Sequence, residues 1–184
     1  MGTPTPPPPV KLIAGLIFSD PEVLAQARET LAQQYGPVEE ESHILPFDFT
    51  RYYTLEMGPH LQRQYVSFEQ LIACEALPPI KLFTNALEAT LADPDGRRRV
   101  NLDPGYLSLD LLVLATTKNP GHRPYLGQGI YAELTYRFVQ GSFRPLEWTY
   151  PDYRLQTSVE FFNRVRQRYR EQIKALKALR PPGG

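Results

Sequence analysis

The run KLIAGLIF, Lys11–Phe18, constrains this chain more than any other segment. Its apolar residues fall on both sides of an extended strand, so the strand has no face to offer to water. Such a strand reads as central in a sheet and buried on both faces. A helix start follows directly. Ser19 and Glu22 have capping-box spacing, and Pro21 suits a first helical turn. The spacing predicts a helix to about Tyr35, with Val23, Ala27 and Leu31 on one face and Gly36-Pro37 as its stop.

The pattern then alternates between strand and helix periods. Ser42–Phe49 reads as a strand that Pro46 confines to an edge or a bulge. Thr50–His60 reads as a loop or short turn and Gln64–Phe68 as a third strand. Ile80, Phe83, Leu87 and Leu91 stand at helical spacing and predict a helix over Pro79–Ala92. Asp93–Gly96 is a turn, and a fourth strand begins at Val100–Leu102. That order, βαββαβ, is the ferredoxin-like pattern. Three strands extend it: Leu111–Thr117, the alternating Gly129–Val139, and Ser142–Trp148 after a Gln140-Gly141 turn. A helix over Thr157–Leu179 carries Phe162, Val165, Tyr169 and Leu176 as its apolar stripe. The expected fold is therefore α+β: a ferredoxin-like unit extended by a C-terminal hairpin, with a mostly antiparallel sheet and helices on one face.

Within 184 residues this leaves three segments: a Pro-rich leader over 1–9 read as disordered, one domain over 10–179, and a tail over 180–184. Twenty basic residues balance twenty acidic ones, so bulk charge calls for neither nucleic acid nor an anionic membrane. The single cysteine, Cys74, excludes an internal disulfide and reads as a buried, inert thiol. No apolar run reaches the about 18–20 residues that span a bilayer, and the N-terminus lacks a signal-peptide pattern. A soluble cytoplasmic protein without membrane attachment is expected.

Charged and aromatic residues concentrate between Arg97 and Arg154. In NLDPGY, Asp103 has two readings: an Asx-turn acceptor, or a carboxylate held at the sheet rim as a base or metal ligand. In KNPGHRPY, Lys118, His122 and Arg123 would form an anion clamp, or pair with nearby carboxylates. His122 is the acid/base candidate because imidazole titrates near neutrality. Tyr131, Glu133, Thr135 and Arg137 share one face of an alternating strand and would either floor a cleft or hold a cross-strand ion pair. In TYPDYR, Asp152 and Arg154 stand among rings that would stack a base or pin the last helix. That last helix carries seven basic residues, counted to Arg180, against Glu160 and Glu171. Phosphate-loop, zincin, nucleophile-elbow and dinucleotide-binding motifs are all missing from the sequence.

The phrases KLIAGLIFSD, ILPFDFTRYYTLEMG, VSFEQLI, IKLFTNALE, GRRRVNLDPGYLSLDLLVLATTK, HRPYLGQGIYAELTYRF and WTYPDYR with FFNRVR follow one another in a fixed order. In this the chain resembles the bacterial domain-of-unknown-function family 4416 over about residues 10–173. The resemblance implies a bacterial or archaeal cytoplasmic protein made mainly of that one domain. It implies no activity.

The leading expectation is a small cytoplasmic protein that binds or hydrolyses a nucleotide or other phosphorylated ligand. Catalytic roles would fall to His122, Asp103 and Glu133. Ligand contacts would fall to Lys118, Arg123, Tyr131, Arg137, Asp152 and Arg154. If a metal takes part, Asp103 and Glu133 favour Mg²⁺ or Mn²⁺. One alternative is a nucleic-acid-binding module using the basic last helix. Another is a structural subunit that meets a protein partner.

Overall fold

The computed structural model describes residues 2–179, so the tail assigned to 180–184 lies outside the described residues, as does Met1. Residues 2–9 carry no regular secondary structure, and the Pro9 carbonyl accepts a hydrogen bond from the Tyr169 hydroxyl at 2.9 Å.

Strand β1 (Val10–Phe18) is buried along its whole length, as the double-sided apolar pattern requires. Helix α1 (Pro21–Tyr35) follows. Its N-cap is Asp20, not Ser19: the Asp20 carboxylate accepts from the Glu22 N–H. Strand β2 (Val38–Glu41) reads VEEE, and β3 is only the pair Leu45–Pro46. A single strand over Ser42–Phe49 is thus replaced by two short pieces on either side of that start. Glutamate is a poor strand former, but here each one meets a cation from another element. Glu39 pairs with Lys11, Glu40 with Arg168 and Glu41 with Arg28.

The loop or short turn expected over residues 50–60 contains one helical turn, α2 (Thr54–Met57). Strand β4 (Gln62–Ile72) leads through a 3₁₀ turn at Cys74–Ala76 into α3 (Leu77–Thr90). Then come β5 (Val100–Leu107), β6 (Leu111–Thr116), β7 (Tyr125–Gly127), β8 (Ile130–Val139) and β9 (Ser142–Pro145). The turn from β8 to β9 uses positive φ at both central residues, 50° at Gln140 and 83° at Gly141, the twist a two-residue hairpin needs. A second 3₁₀ turn (Pro151–Arg154) leads into α4 (Gln156–Ala178).

The strands form one antiparallel sheet in the order β2-β4-β1-β5-β6-β8-β7, with β3 added to β4 and β9 to β8. The helices do not share one face. Leu12, Ala14, Leu16 and Phe18 of β1 pack with α1 and α3, while Ile13 belongs to a second core with Val159, Phe162 and Val165 of α4. The reason is β1 itself. A strand apolar on both sides needs a layer over each, and α4 supplies the second one.

A cleft where the sheet opens

Strands β5 and β6 are paired only from Gly105 to Leu107. At that junction an added Cβ on Gly105 would stand 2.4 Å from the Val113 carbonyl, so only glycine allows the approach. Upstream the strands part. Asn101–Pro104 keep β1 as their partner but lose β6. The Leu102 backbone would be left unsatisfied there, and helix α3 satisfies it. The Lys81 ammonium donates to the Leu102 carbonyl at 2.8 Å, and the Glu88 carboxylate accepts from the Leu102 N–H at 2.5 Å. Burial raises the pKa of Glu88, with the charges of Lys81 and Arg98 opposing it.

Two chambers occupy the opening. The inner one, about 140 Å³, lies in the split and touches Lys81, Glu88, Arg98, Asn101, Asp103 and Glu133. The outer one, about 310 Å³, lies under the aromatic segment Phe47–Tyr53, with Pro151 and Asp152 on its other side. Both are lined by Tyr52, Tyr53, Asp103, Lys118 and Tyr150, so they form one continuous cleft.

Cations hold the aromatic roof in place. The Arg63 guanidinium lies 5.2 Å from the Phe47 ring centre, the Lys118 ammonium 4.1 Å from Tyr52, and the Arg98 guanidinium 5.6 Å from Tyr53. Arg98 also reaches Glu56 of α2 at 2.5 Å and the Asn101 side chain at 2.9 Å.

The outer floor is built on a buried ion pair, Arg63 with Asp152. Arg63 Nε stands 2.8 Å from Asp152 Oδ2, an ionic contact without a directed hydrogen bond. Its Nη1 reaches Asp103 Oδ2 at 3.4 Å. The Tyr65 hydroxyl donates to Asp152 Oδ2 at 3.0 Å. Burial opposes the charge on Arg63, but Asp152 and the other anionic neighbours outweigh it and hold its pKa above the ordinary value. Burial, and then the Asp103 charge, push the Tyr53 phenol well above the usual tyrosine range.

Asp103, Glu133 and Lys118 line the inner chamber, and Asp103, Lys118 and Asp152 line the outer. His122 and Arg123 stand behind Glu133 instead of clamping a ligand. Arg123 Nε bonds Glu133 Oε2, His122 Nε2 lies 3.3 Å from Oε1, and the His122 ring stacks on Trp148. Arg123 also donates to the Tyr150 hydroxyl at 2.9 Å.

Four sequence readings are corrected. Asp103-Pro104-Gly105 is interior strand, not a rim turn, because Pro104 faces the gap where no ladder bond is needed. Arg137 does not share a face with Glu133. A register shift opposite Leu112 and Val113 leaves Thr135 as an extra residue, which flips the alternation and turns Arg137 outward, away from both chambers. Arg154 is spent on the carbonyls of Thr149, Glu147 and Leu146. Tyr131 packs on Tyr125 at 5.2 Å and lines neither chamber.

Arg63, Lys81 and Glu88 were not singled out by sequence. The one signal was a charged residue inside an apolar-periodic strand or helix, which needs a buried partner. Asp103 and Glu133 share the inner chamber, but among the described residues no group of three or more His, Cys, Asp or Glu side chains gathers to hold a metal.

No curated protein and no solved structure shows a significant match to the chain. A family model described as a domain of unknown function matches residues 8–169, nearly the whole described fold. The chain therefore belongs to the DUF4416 family.

Proposed function

We propose that the cleft binds a nucleotide, with the phosphate at Lys118 and the base under the aromatic roof. The position of Lys118 carries this reading. Arg63, Lys81 and Arg98 each meet a carboxylate, whereas the Lys118 ammonium meets none among the described residues. It stands where the two chambers join and lines both. A lysine there is a point charge suited to a phosphate. The ring-lined chamber of about 310 Å³ falls at the small end of ligand pockets, and stacking on tyrosine contributes about 1–3 kcal/mol per base.

Binding is favoured over hydrolysis, since Glu133 Oε2 is taken by Arg123. The basic helix supports the nucleic-acid alternative less. Arg166 bonds the Leu109 carbonyl and covers the Phe138 ring, and Arg168 pairs with Glu40. Among the described residues no helix is long and apolar enough to cross a membrane, and the reading places the protein in the cytoplasm with nucleotide pools.

Titration calorimetry with nucleoside monophosphates and their parent nucleosides tests the reading. The monophosphates should bind at least tenfold more tightly, and Lys118→Ala should erase that difference. Binding of neither class would sink the proposal.

A further inference from the structure

The floor of the outer chamber carries more acceptors than donors. Asp103 keeps a quarter of its side chain exposed. Its Oδ2 is occupied by the Asn101 amide at 2.8 Å and by Arg63. Its Oδ1 accepts no hydrogen bond among the described residues, and the nearest cation there, Lys81, stands 3.9 Å away and donates to Leu102 instead. Asp152 repeats the arrangement. Its Oδ2 takes both Tyr65 and Arg63, while its side chain is only 4% exposed and still lines the chamber. Between them lies Arg63, also 4% exposed, whose Nε makes no directed hydrogen bond.

One guanidinium between two carboxylates, with the Lys81 ammonium 3.9 Å from Asp103 Oδ1 but bonded to Leu102, leaves the floor with an acceptor to spare. It is roofed by aromatic faces that favour a planar, electron-poor group. A ring edge that brings an N–H₂ group to this floor satisfies a waiting carboxylate oxygen. A ring edge that brings a carbonyl there sets acceptor against acceptor, and the buried groups stay unpaired.

We propose that the outer chamber selects an amino-bearing nucleobase over its deaminated counterpart, with Asp103 as the residue that reads the amino group. The inference rests on the nucleotide reading of the cleft. Asp103 is well placed for the role because Asn101 and Arg63 fix one oxygen and so aim the other. Tyr53, kept protonated beside it, adds no competing charge. Arg63 adds a donor for the unprotonated ring nitrogen beside the amino group, which adenine, cytosine and guanine all possess.

Calorimetry on the full-length chain with the pairs AMP and IMP, and CMP and UMP, reads the inference directly, because within each pair the edge inverts: an amino donor becomes a carbonyl acceptor and the ring nitrogen beside it changes from acceptor to N–H donor. The amino-bearing member should bind at least tenfold more tightly. Asp103→Asn, which offers an N–H in place of an acceptor, should cut that preference below about threefold or invert it, with the gain of monophosphate over nucleoside retained. Lys118→Ala should do the reverse, weakening both members of a pair while keeping their ratio. Equal affinity within both pairs for the native chain, or tighter binding of IMP and UMP, overturns the inference and leaves nucleotide binding standing. No binding by any of the four overturns both. The native-chain comparison decides the matter even if Asp103→Asn fails to fold.

Discussion

At Gly15 the missing side chain is what makes room for Arg63. A Cβ built there would stand 2.7 Å from Arg63 Nη1 and 2.7 Å from the Tyr153 hydroxyl. Neither atom has an easy way out. Arg63 is held by Asp152 and Asp103, and the Tyr153 ring stacks on Phe162 with centroids 5.7 Å apart. Gly15→Ala should therefore destabilise the fold by about 1–3 kcal/mol, read from the denaturant midpoint, as overpacking does in a filled core. A neutral variant would mean that the guanidinium is not fixed where the cleft needs it. In KLIAGLIF the glycine reads as one more small residue in an apolar run. Its purpose becomes visible only when Arg63 arrives from two strand positions away on β4.

Among the elements, the turn α2 is tied to the cleft by a charge pair, Glu56 with Arg98. Its Glu56 is held below the ordinary glutamate range, first by the hydrogen bond from Arg98, with burial opposing. The folded pKa thus lies below the unfolded one. The contribution of the pair is present above the ordinary value of 4.5 and is lost as pH falls through the folded value. The melting temperature of the native chain should exceed that of Glu56→Gln at neutral pH, and the two should converge below pH 4.5. A gap that persists in acid would assign the effect of Glu56 to packing. The pair is 39% exposed on the glutamate side, so the gap should also shrink in high salt. Helices α1 and α3 and the β8–β9 hairpin were legible because their signals are local: apolar residues at helical spacing, and a Gln-Gly turn. Strand β2 was not, since VEEE becomes a strand only through cations that lie elsewhere in the chain.

For the whole molecule, the sheet is a middle layer. Leu16 faces α1 and α3, and Phe162 of α4 packs on the opposite side against Tyr65, Tyr136 and Tyr153. Both are fully buried. Leu16→Ala should cost about 2–5 kcal/mol and Phe162→Ala about 3–5 kcal/mol in one cooperative transition. A cost below about 1 kcal/mol for Phe162→Ala would demote α4 to a loose appendage. The double-sided pattern of β1 marked a central strand buried on both faces, and the sequence by itself determined that much, along with most helices and four cleft residues in Asp103, Lys118, Glu133 and Asp152, but it put the helices on one face. These are matters of period and composition within a short window. Tertiary structure alone decided that β5 and β6 part company above Gly105, that Lys81 and Glu88 cap the exposed edge, and that Arg63 crosses to Asp103 and Asp152. Which strand pairs with which is settled by contacts between residues far apart in the chain, and a strand that loses its neighbour leaves no mark in its own sequence.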